Sequence, residues 1–370
     1  LISHSSDQDV KALKYLTVRE KSMTATTNTA ISNAPGKNEL PPHLNDNLLT
    51  PRFYTTEFDK AAKTDLQIAR QDFEAMFKEM EADYNLKHFD RKASLDRLDE
   101  LSPSDKAVYE SYLVRSVVSE FSGFLLFKEI SNRFKKAGRK ELGQFFQFLA
   151  RDEARHAGFL GRALKAEGIN VDLPNLGNKR AATFFPLSWV LYSLYLSEKI
   201  GYWRYILINR HLKAHPEKAC APLFDFFEPW CQDENRHGDC INMMMRCWPG
   251  MTKGFRGKLL SRFFLWSVFL THTLTVCERG DFYELLGIDP VLFDEEVIIQ
   301  TNNTTRNAFP WVYKFEDGKF LEMRKQILTA FSNWRTSSGL AKPVALSKFI
   351  SLILKQFALP MEKTNFVRYG

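Results

Sequence analysis

RDEARHAGFL at residues 151–160 and QDENRHGD at residues 232–239 carry the same pentapeptide, Asp-Glu-x-Arg-His, and that repetition decides the fold. Glu and His three residues apart share one face of a helix, so each copy can offer a carboxylate oxygen and an imidazole nitrogen to one metal ion. Two copies point to two metals.

The helical neighbours fix which way these residues face. Glu153 and His156 share a stripe with Phe146, Leu149, Ala150, Ala157 and Leu160, while Glu234 and His237 lie with Phe227, Trp230, Cys231 and Ile241. An ionised carboxylate on such a stripe loses its hydration at a cost of several kcal/mol unless it is paired or bound to metal. The same test finds two more inward acids. Glu120 keeps company with Leu113, Val117, Gly123, Phe124 and Phe127, and Glu198 with Leu191, Leu194, Tyr195, Gly201, Tyr202 and Tyr205. There are 31 residues between Glu120 and Asp152 and 34 between Glu198 and Asp233, the length of a helix, a short loop and the return in an antiparallel hairpin.

The sum is Glu120, Glu153, His156, Glu198, Glu234 and His237. Four hard carboxylates with two neutral imidazoles suit a pair of iron or manganese ions better than zinc or calcium. A Glu from each of two helices, joined by Glu-x-x-His from each of two others, is the pattern of an all-α, ferritin-like four-helix diiron bundle. Glu153 and Glu234 are expected to bridge, with Glu120 and Glu198 terminal. Asp152 and Asp233 are placed to accept from the far nitrogen of a ligating His, and helix register turns each toward the His of the opposite motif. Arg155 and Arg236 can neutralise those aspartates. A single Glu-x-x-His is an ordinary surface pair on a helix. Two in matching context, each preceded by an inward Glu, are not.

With 370 residues, 44% of them hydrophobic and 31 of them Phe, the chain has ample material for a buried core. Its net charge of +7 favours acidic partners. No zinc-finger spacing, RNP-like motif or long basic run singles out nucleic acid. Cysteines 220, 231, 240, 247 and 277 form no CxxC pair and read as reduced interior thiols. The longest apolar run, residues 263–270, is too short for the roughly 20 residues that span a bilayer.

Residues 1–47 are rich in Ser, Thr, Asn and Pro and read as a disordered or loosely attached arm. The rest, 48–370, reads as one domain, with a bundle core over 104–247 and a C-terminal helical extension over 250–360. The periodicity predicts helices over 57–85, 104–135, 139–167, 184–212, 218–247, 254–279, 290–307, 319–335 and 344–358. A loop is expected at 174–177 and a short β-like stretch at 311–315. Phe145, Phe146, Phe148, Phe159, Trp189, Tyr192, Tyr195, Tyr202 and Trp203 read mostly as core, with a minority free to line a pocket.

Iron storage, oxygen activation, radical generation and peroxide reduction all use such bundles. A radical-generating subunit is expected to carry Tyr where this chain has Leu160, a rubrerythrin-like protein adds a CxxC pair, and a storage protein is shorter. An oxygenase or desaturase remains. LLTPRFYTT at 48–56, EFSGFLL at 120–126, residues 151–160, YLSEKIGYWRY at 195–205 and QDENRHGD closely resemble the aerobic magnesium-protoporphyrin IX monomethyl ester oxidative cyclases of chlorophyll biosynthesis. The resemblance covers roughly 48–360 and matches all six iron ligands of that family.

It implies O2-dependent closure of the isocyclic ring on magnesium-protoporphyrin IX 13-monomethyl ester to give 3,8-divinyl protochlorophyllide, at two Fe ions. It also implies a monooxygenase-type oxidoreductase drawing external electrons from reduced ferredoxin and NADPH, a small accessory subunit, and peripheral contact with a thylakoid or inner envelope membrane of a chloroplast, or a cyanobacterial membrane. Candidate docking or lipid surfaces are the basic clusters Arg133, Lys135, Lys136, Arg139, Lys140 and Lys253, Arg256, Lys258, Arg262, with the aromatic segment 263–274 as a membrane contact or, alternatively, a core helix. The other functional reading is a non-catalytic diiron bundle that binds porphyrin or a photosynthetic partner without turnover.

Overall fold

In the computed structural model, which describes residues 51–89, 101–179 and 181–366, the two pentapeptides lie on the second helices of two helical hairpins. The predicted arm over 1–47 and the first residues of the 48–56 stretch fall outside the described residues. In chain order the elements are β1 (Tyr54–Thr56), α1 (Phe58–Ala61), α2 (Arg70–Ala82), α3 (Pro103–Lys136), α4 (Lys140–Ala166), α5 (Leu173–Lys179), β2 (Thr183–Phe185), α6 (Leu187–Ala214) and α7 (Phe227–Arg246). There follow α8 (Pro249–Thr252), α9 (Gly254–Glu278), α10 (Gly280–Leu285), α11 (Pro290–Thr305), β3 (Trp311–Tyr313), α12 (Lys319–Thr336), α13 (Ala341–Phe357) and β4 (Met361–Lys363). The fold is all-α, a ferritin-like four-helix bundle of α3, α4, α6 and α7 with helices added around it.

Local chemistry sets the ends of the bundle helices. Ser102 caps α3 by accepting from the Asp105 amide at 3.2 Å, and Pro103 follows where its missing N–H costs nothing. Gly138, at φ +76, takes the left-handed turn between α3 and α4 that a side chain would resist. Glu57 accepts from the Leu187 amide at 2.9 Å, placing a carboxylate at the positive end of α6. β1 and β2 pair in parallel, Tyr54 with Thr183 and Thr56 with Phe185, and Ser122 on α3 donates to the Arg52 carbonyl at 2.7 Å. The segment before α1 is thus fastened to the crossover between the hairpins.

Apolar side chains fill each hairpin. Phe134 of α3 stacks on Phe146 of α4 at 5.4 Å, and both are fully buried. Truncating such a Phe to Ala costs about 3–5 kcal/mol. Phe145, Phe159, Tyr192 and Tyr195 are core as well, whereas Trp189 is 36% exposed.

Three helix boundaries differ from the periodicity. The predicted 57–85 helix is broken by a turn after α1, where Thr64 Oγ1 donates to the Ala61 carbonyl and Asp65 starts a 3-10 segment, Leu66–Ala69. The predicted 218–247 helix begins only at Phe227, because Pro222 starts a separate 3-10 turn, Pro222–Phe226. The expected loop at 174–177 is helical, since Pro174 falls in the first turn of α5, where proline is tolerated.

Helix α9 is apolar over more than residues 263–270, and by length and composition alone it could cross a membrane. Its inward side is committed to protein: Phe264, Leu265, Phe269 and Thr273 are buried, and Leu270 and Leu274 pack on the Ile327, Ala330, Phe349 and Leu352 cluster of α12 and α13. His272, which sequence gave no partner, lies 2.5 Å from Asp294 of α11, a carboxylate that also receives Thr273 Oγ1 at 2.8 Å and the guanidinium of Arg324.

Candidate metal centre

Glu120 from α3, Glu153 and His156 from α4, Glu198 from α6, and Glu234 and His237 from α7 converge where the hairpins meet, and none is more than 6% exposed. Two groupings have ligand atoms close enough to share a metal ion: Glu120, Glu153, His156 and Glu234, and Glu153, Glu198 and His237. Glu153 belongs to both. His156 Nδ1 stands 3.3 Å from Glu120 and 3.6 Å from Glu234, and His237 Nδ1 stands 3.1 Å from Glu153 and 3.4 Å from Glu198.

Each far nitrogen faces the aspartate of the other motif. His156 Nε2 is 3.1 Å from Asp233 Oδ2, and His237 Nε2 is 3.6 Å from Asp152 Oδ2. Arg236 reaches Asp233 at 2.5 Å. Arg155 approaches Asp152 only to 3.6 Å and instead clasps Asp83 at 2.8 Å, while Arg151 makes the close contact with Asp152 at 2.9 Å. Sequence reasoning missed Arg151 because it precedes the pentapeptide, and Asn85, which donates to Asp233 at 2.8 Å, because it lies 148 residues away.

Two aromatic donors were also unforeseen. Tyr205 donates to Glu120 Oε1 at 3.1 Å, and Trp230 Nε1 donates to Glu234 Oε1 at 2.9 Å while its ring stacks on His156 at 4.5 Å. Both fall on ligand-bearing faces, but helix periodicity cannot show which polar tip turns inward. Phe89 and Phe127 close over the imidazoles, with ring centroids 5.5 Å from His156 and 5.9 Å from His237.

The electrostatics fit bound cations. Burial above all, then the charges of Glu120 and Glu198, pushes Glu153 up to about 8, and burial with the same neighbours and Glu153 holds Glu234 well above the usual carboxylate range. Burial opposes a charge on His156, but its hydrogen bonds to Asp233 and Glu120 outweigh that and raise it to about 9. Neither ring nitrogen of His237 completes a well-angled hydrogen bond despite the carboxylates around it. A buried acid cluster held off ionisation by its own crowding, with an unsatisfied imidazole, is what a pair of divalent or trivalent ions resolves. The hard oxygen and imidazole donors fit iron.

The family described as Rubrerythrin matches residues 111–245, the span of the bundle, although the chain has no CxxC pair. No solved structure matches the chain. A magnesium-protoporphyrin IX monomethyl ester [oxidative] cyclase of Prochlorococcus marinus strain MIT 9313 is 90% identical over 349 residues, covering 94% of this chain and 100% of that protein. Proteins of the same description, each numbered cyclase 2, are 51% identical in Thermosynechococcus vestitus, over 79% of this chain and 82% of the relative, and 46% identical in Synechocystis, over 84% and 88%. With identity of this degree running through the bundle and its added helices alike, the chain belongs to the family of magnesium-protoporphyrin IX monomethyl ester oxidative cyclases.

Proposed function

We propose that this chain catalyses the O2-dependent oxidative cyclisation of magnesium-protoporphyrin IX 13-monomethyl ester to 3,8-divinyl protochlorophyllide, with Glu120, Glu153, His156, Glu198, Glu234 and His237 holding two irons. The observation that carries this reading is the buried convergence of four carboxylates and two imidazoles from two hairpins, in a chain 90% identical to a cyclase of that description. When bound, the iron pair supplies the activation of O2 for monooxygenase-type attack on the methyl propionate arm.

The protein's own groups do the rest. Asp233 accepts from His156 Nε2, and Asp152 faces His237 Nε2 at 3.6 Å, an arrangement that favours the tautomer leaving each Nδ1 free to ligate. Tyr205 and Trp230 each hold one carboxylate oxygen, of Glu120 and Glu234, and so set which oxygen faces the irons. Glu153, common to both groupings, would be shared between the two ions, Glu234 would be its counterpart, and Glu120 and Glu198 would each serve one ion. Phe89, Phe127 and Trp230 keep water from the imidazoles, which strengthens every charge interaction inside. An intact ligand set favours this enzyme over a non-catalytic bundle.

Electrons come from outside, from reduced ferredoxin fed by NADPH, since the chain has neither a nucleotide-binding glycine fingerprint nor iron–sulfur cysteine spacing. The docking surface best supported is an open groove of about 580 Å³ lined by Lys135, Lys140, Gln144, Gln147, Phe148 and Arg151. Arg151 leads inward through Asp152 to His237. Of the first basic cluster, Arg133 is paired with Glu129 and Asp59, and Arg139 is bonded to the Ala62 and Thr64 carbonyls. A peripheral contact with a cyanobacterial membrane is better supported at the start of α9, where Phe255 is 81% and Leu259 46% exposed beside Lys253 and Arg256, than at 263–274. A small accessory subunit completes the reading.

The test is anaerobic reconstitution with ferrous iron, followed by O2, reductant and the porphyrin ester, with products resolved chromatographically. Absence of any isocyclic-ring product, with and without a cell extract supplying the accessory subunit, sinks the reading.

A further inference from the structure

Beside the carboxylate cluster, three helices bring arginines together with too little negative charge to answer them. Arg115 of α3 is paired with Glu278 at 2.7 Å. Arg204 of α6 and Arg279, which follows α9, have no carboxylate partner among the described residues, and the Nε of each is buried without a hydrogen bond. The hydroxyl of Tyr112, itself 2% exposed, also completes no hydrogen bond, and its ring is fixed by stacking on Phe282 at 3.9 Å. The Arg115–Glu278 pair and the Tyr112–Phe282 stack hold the end of α9 against α3, and burial above all, with the charges of Arg204 and Arg115, brings the Arg279 guanidinium down to about 10 against the opposing influence of Tyr283 and Tyr112. Both guanidiniums are only partly buried, but the Nε of each is enclosed without an acceptor, and an incoming anion would supply one.

The region connects directly to the proposed iron site. The guanidinium of Arg204 lies 4.9 Å from the ring centroid of Tyr205, the residue that donates to Glu120. Arg204 follows Glu198 by six residues and Tyr112 precedes Glu120 by eight, displacements of about 9 and 12 Å along their helices. A porphyrin spans such a distance, and the monomethyl ester has one propionate esterified while the other keeps its carboxylate on the neighbouring pyrrole.

We propose that Arg204 and Arg279 bind the free propionate of the porphyrin substrate, with the Tyr112 hydroxyl as a third donor, and thereby turn the esterified arm toward the carboxylate cluster. This rests on the substrate reading above and adds to it the groups that choose the monoester. Two guanidinium forks on one carboxylate give short, charge-assisted hydrogen bonds that an ester cannot replace.

The test compares binding of the magnesium-porphyrin monomethyl ester and dimethyl ester to the full, iron-loaded chain by porphyrin absorbance and fluorescence. The wild type is expected to prefer the monoester by about tenfold or more, and Arg279→Gln or Arg204→Gln to bring the preference to about twofold or below. Equal wild-type affinity for the two esters, or a preference unchanged in folded variants, overturns the proposal. If a variant does not fold, the wild-type comparison decides alone. A wild type that binds neither porphyrin removes the substrate reading itself, a failure distinct from loss of monoester preference.

Discussion

Gly123 lies against Glu153: a Cβ at Gly123 would stand 2.6 Å from Oε2 of that carboxylate. Gly201 stands in the same relation to Glu234, at 2.8 Å. Each glycine comes three residues after the lone glutamate of its hairpin and clears a slot for the motif glutamate. Gly123→Ala and Gly201→Ala are therefore expected to displace Glu153 and Glu234 and to lower bound iron to at most one per chain, with helical content retained. Gly158→Ala, with open space around it, should leave iron unchanged and add up to about 1 kcal/mol of helix stability. Elemental analysis with circular dichroism decides; a Gly123→Ala chain with its full iron complement counts against the slot.

Asp233→Asn should weaken iron binding by about 10- to 100-fold, because the amide no longer draws on His156 Nε2 as a carboxylate does. Asp152→Asn should cost less, since its contact with His237 is 3.6 Å rather than 3.1 Å. Competition against a ferrous chelator measures both, and the reverse order of effects would contradict the geometry.

Asp294 offers a stability test away from the candidate metal centre. Burial alone would raise its carboxyl, but the hydrogen bond from His272, the charge of Arg324 and the Thr273 hydroxyl outweigh burial and hold it below its ordinary value. A carboxyl lower in the folded than in the unfolded chain stabilises the fold fully above about pH 4, and that share is lost as pH falls through the folded value. Asp294→Asn should destabilise the chain by about 3 kcal/mol at neutral pH, leaving the buried Arg324 with only the more distant carboxylate of Glu295, at 3.7 Å. The urea midpoint of the variant should then fall less steeply than that of the wild type below about pH 4. Parallel curves would show that Asp294 does not carry this dependence.

Reversing charge in the groove, as in Lys135→Glu with Lys140→Glu, should slow reduction by an acidic iron–sulfur donor by about tenfold at low salt and flatten its salt dependence. Iron content should not change. Stopped-flow reduction at several ionic strengths is the measurement, and a salt dependence as steep as in the wild type places docking elsewhere.

What sequence could and could not show follows from the range of the interactions. The inward faces of α3, α4, α6 and α7 were legible because a 3.6-residue period reports burial one helix at a time. The breaks after α1 and before Phe227 were not, because Asp65 and Pro222 act through local turn chemistry inside an unbroken apolar pattern. Asp83, Asn85 and Arg324 meet their partners 30 to 148 residues away, a relation that no local pattern carries. Glycine slots fall between: Gly123 and Gly201 were visible on the right faces, but only packing shows what occupies the missing side chain.

The crossed aspartates have an architectural consequence. Each hairpin supplies an imidazole whose orientation depends on an acid from the other, and each imidazole also faces a glutamate from across the interface. A lone hairpin brings together most of one ligand grouping, as Glu120, Glu153 and His156 do, but lacks the glutamate and the aspartate that the other hairpin turns toward its imidazole. The repeat in this chain therefore has the form of a self-complementary dimer written as one polypeptide, and its halves are not equivalent: one carries Tyr205 and Trp230, and the other the Arg151 approach from the surface.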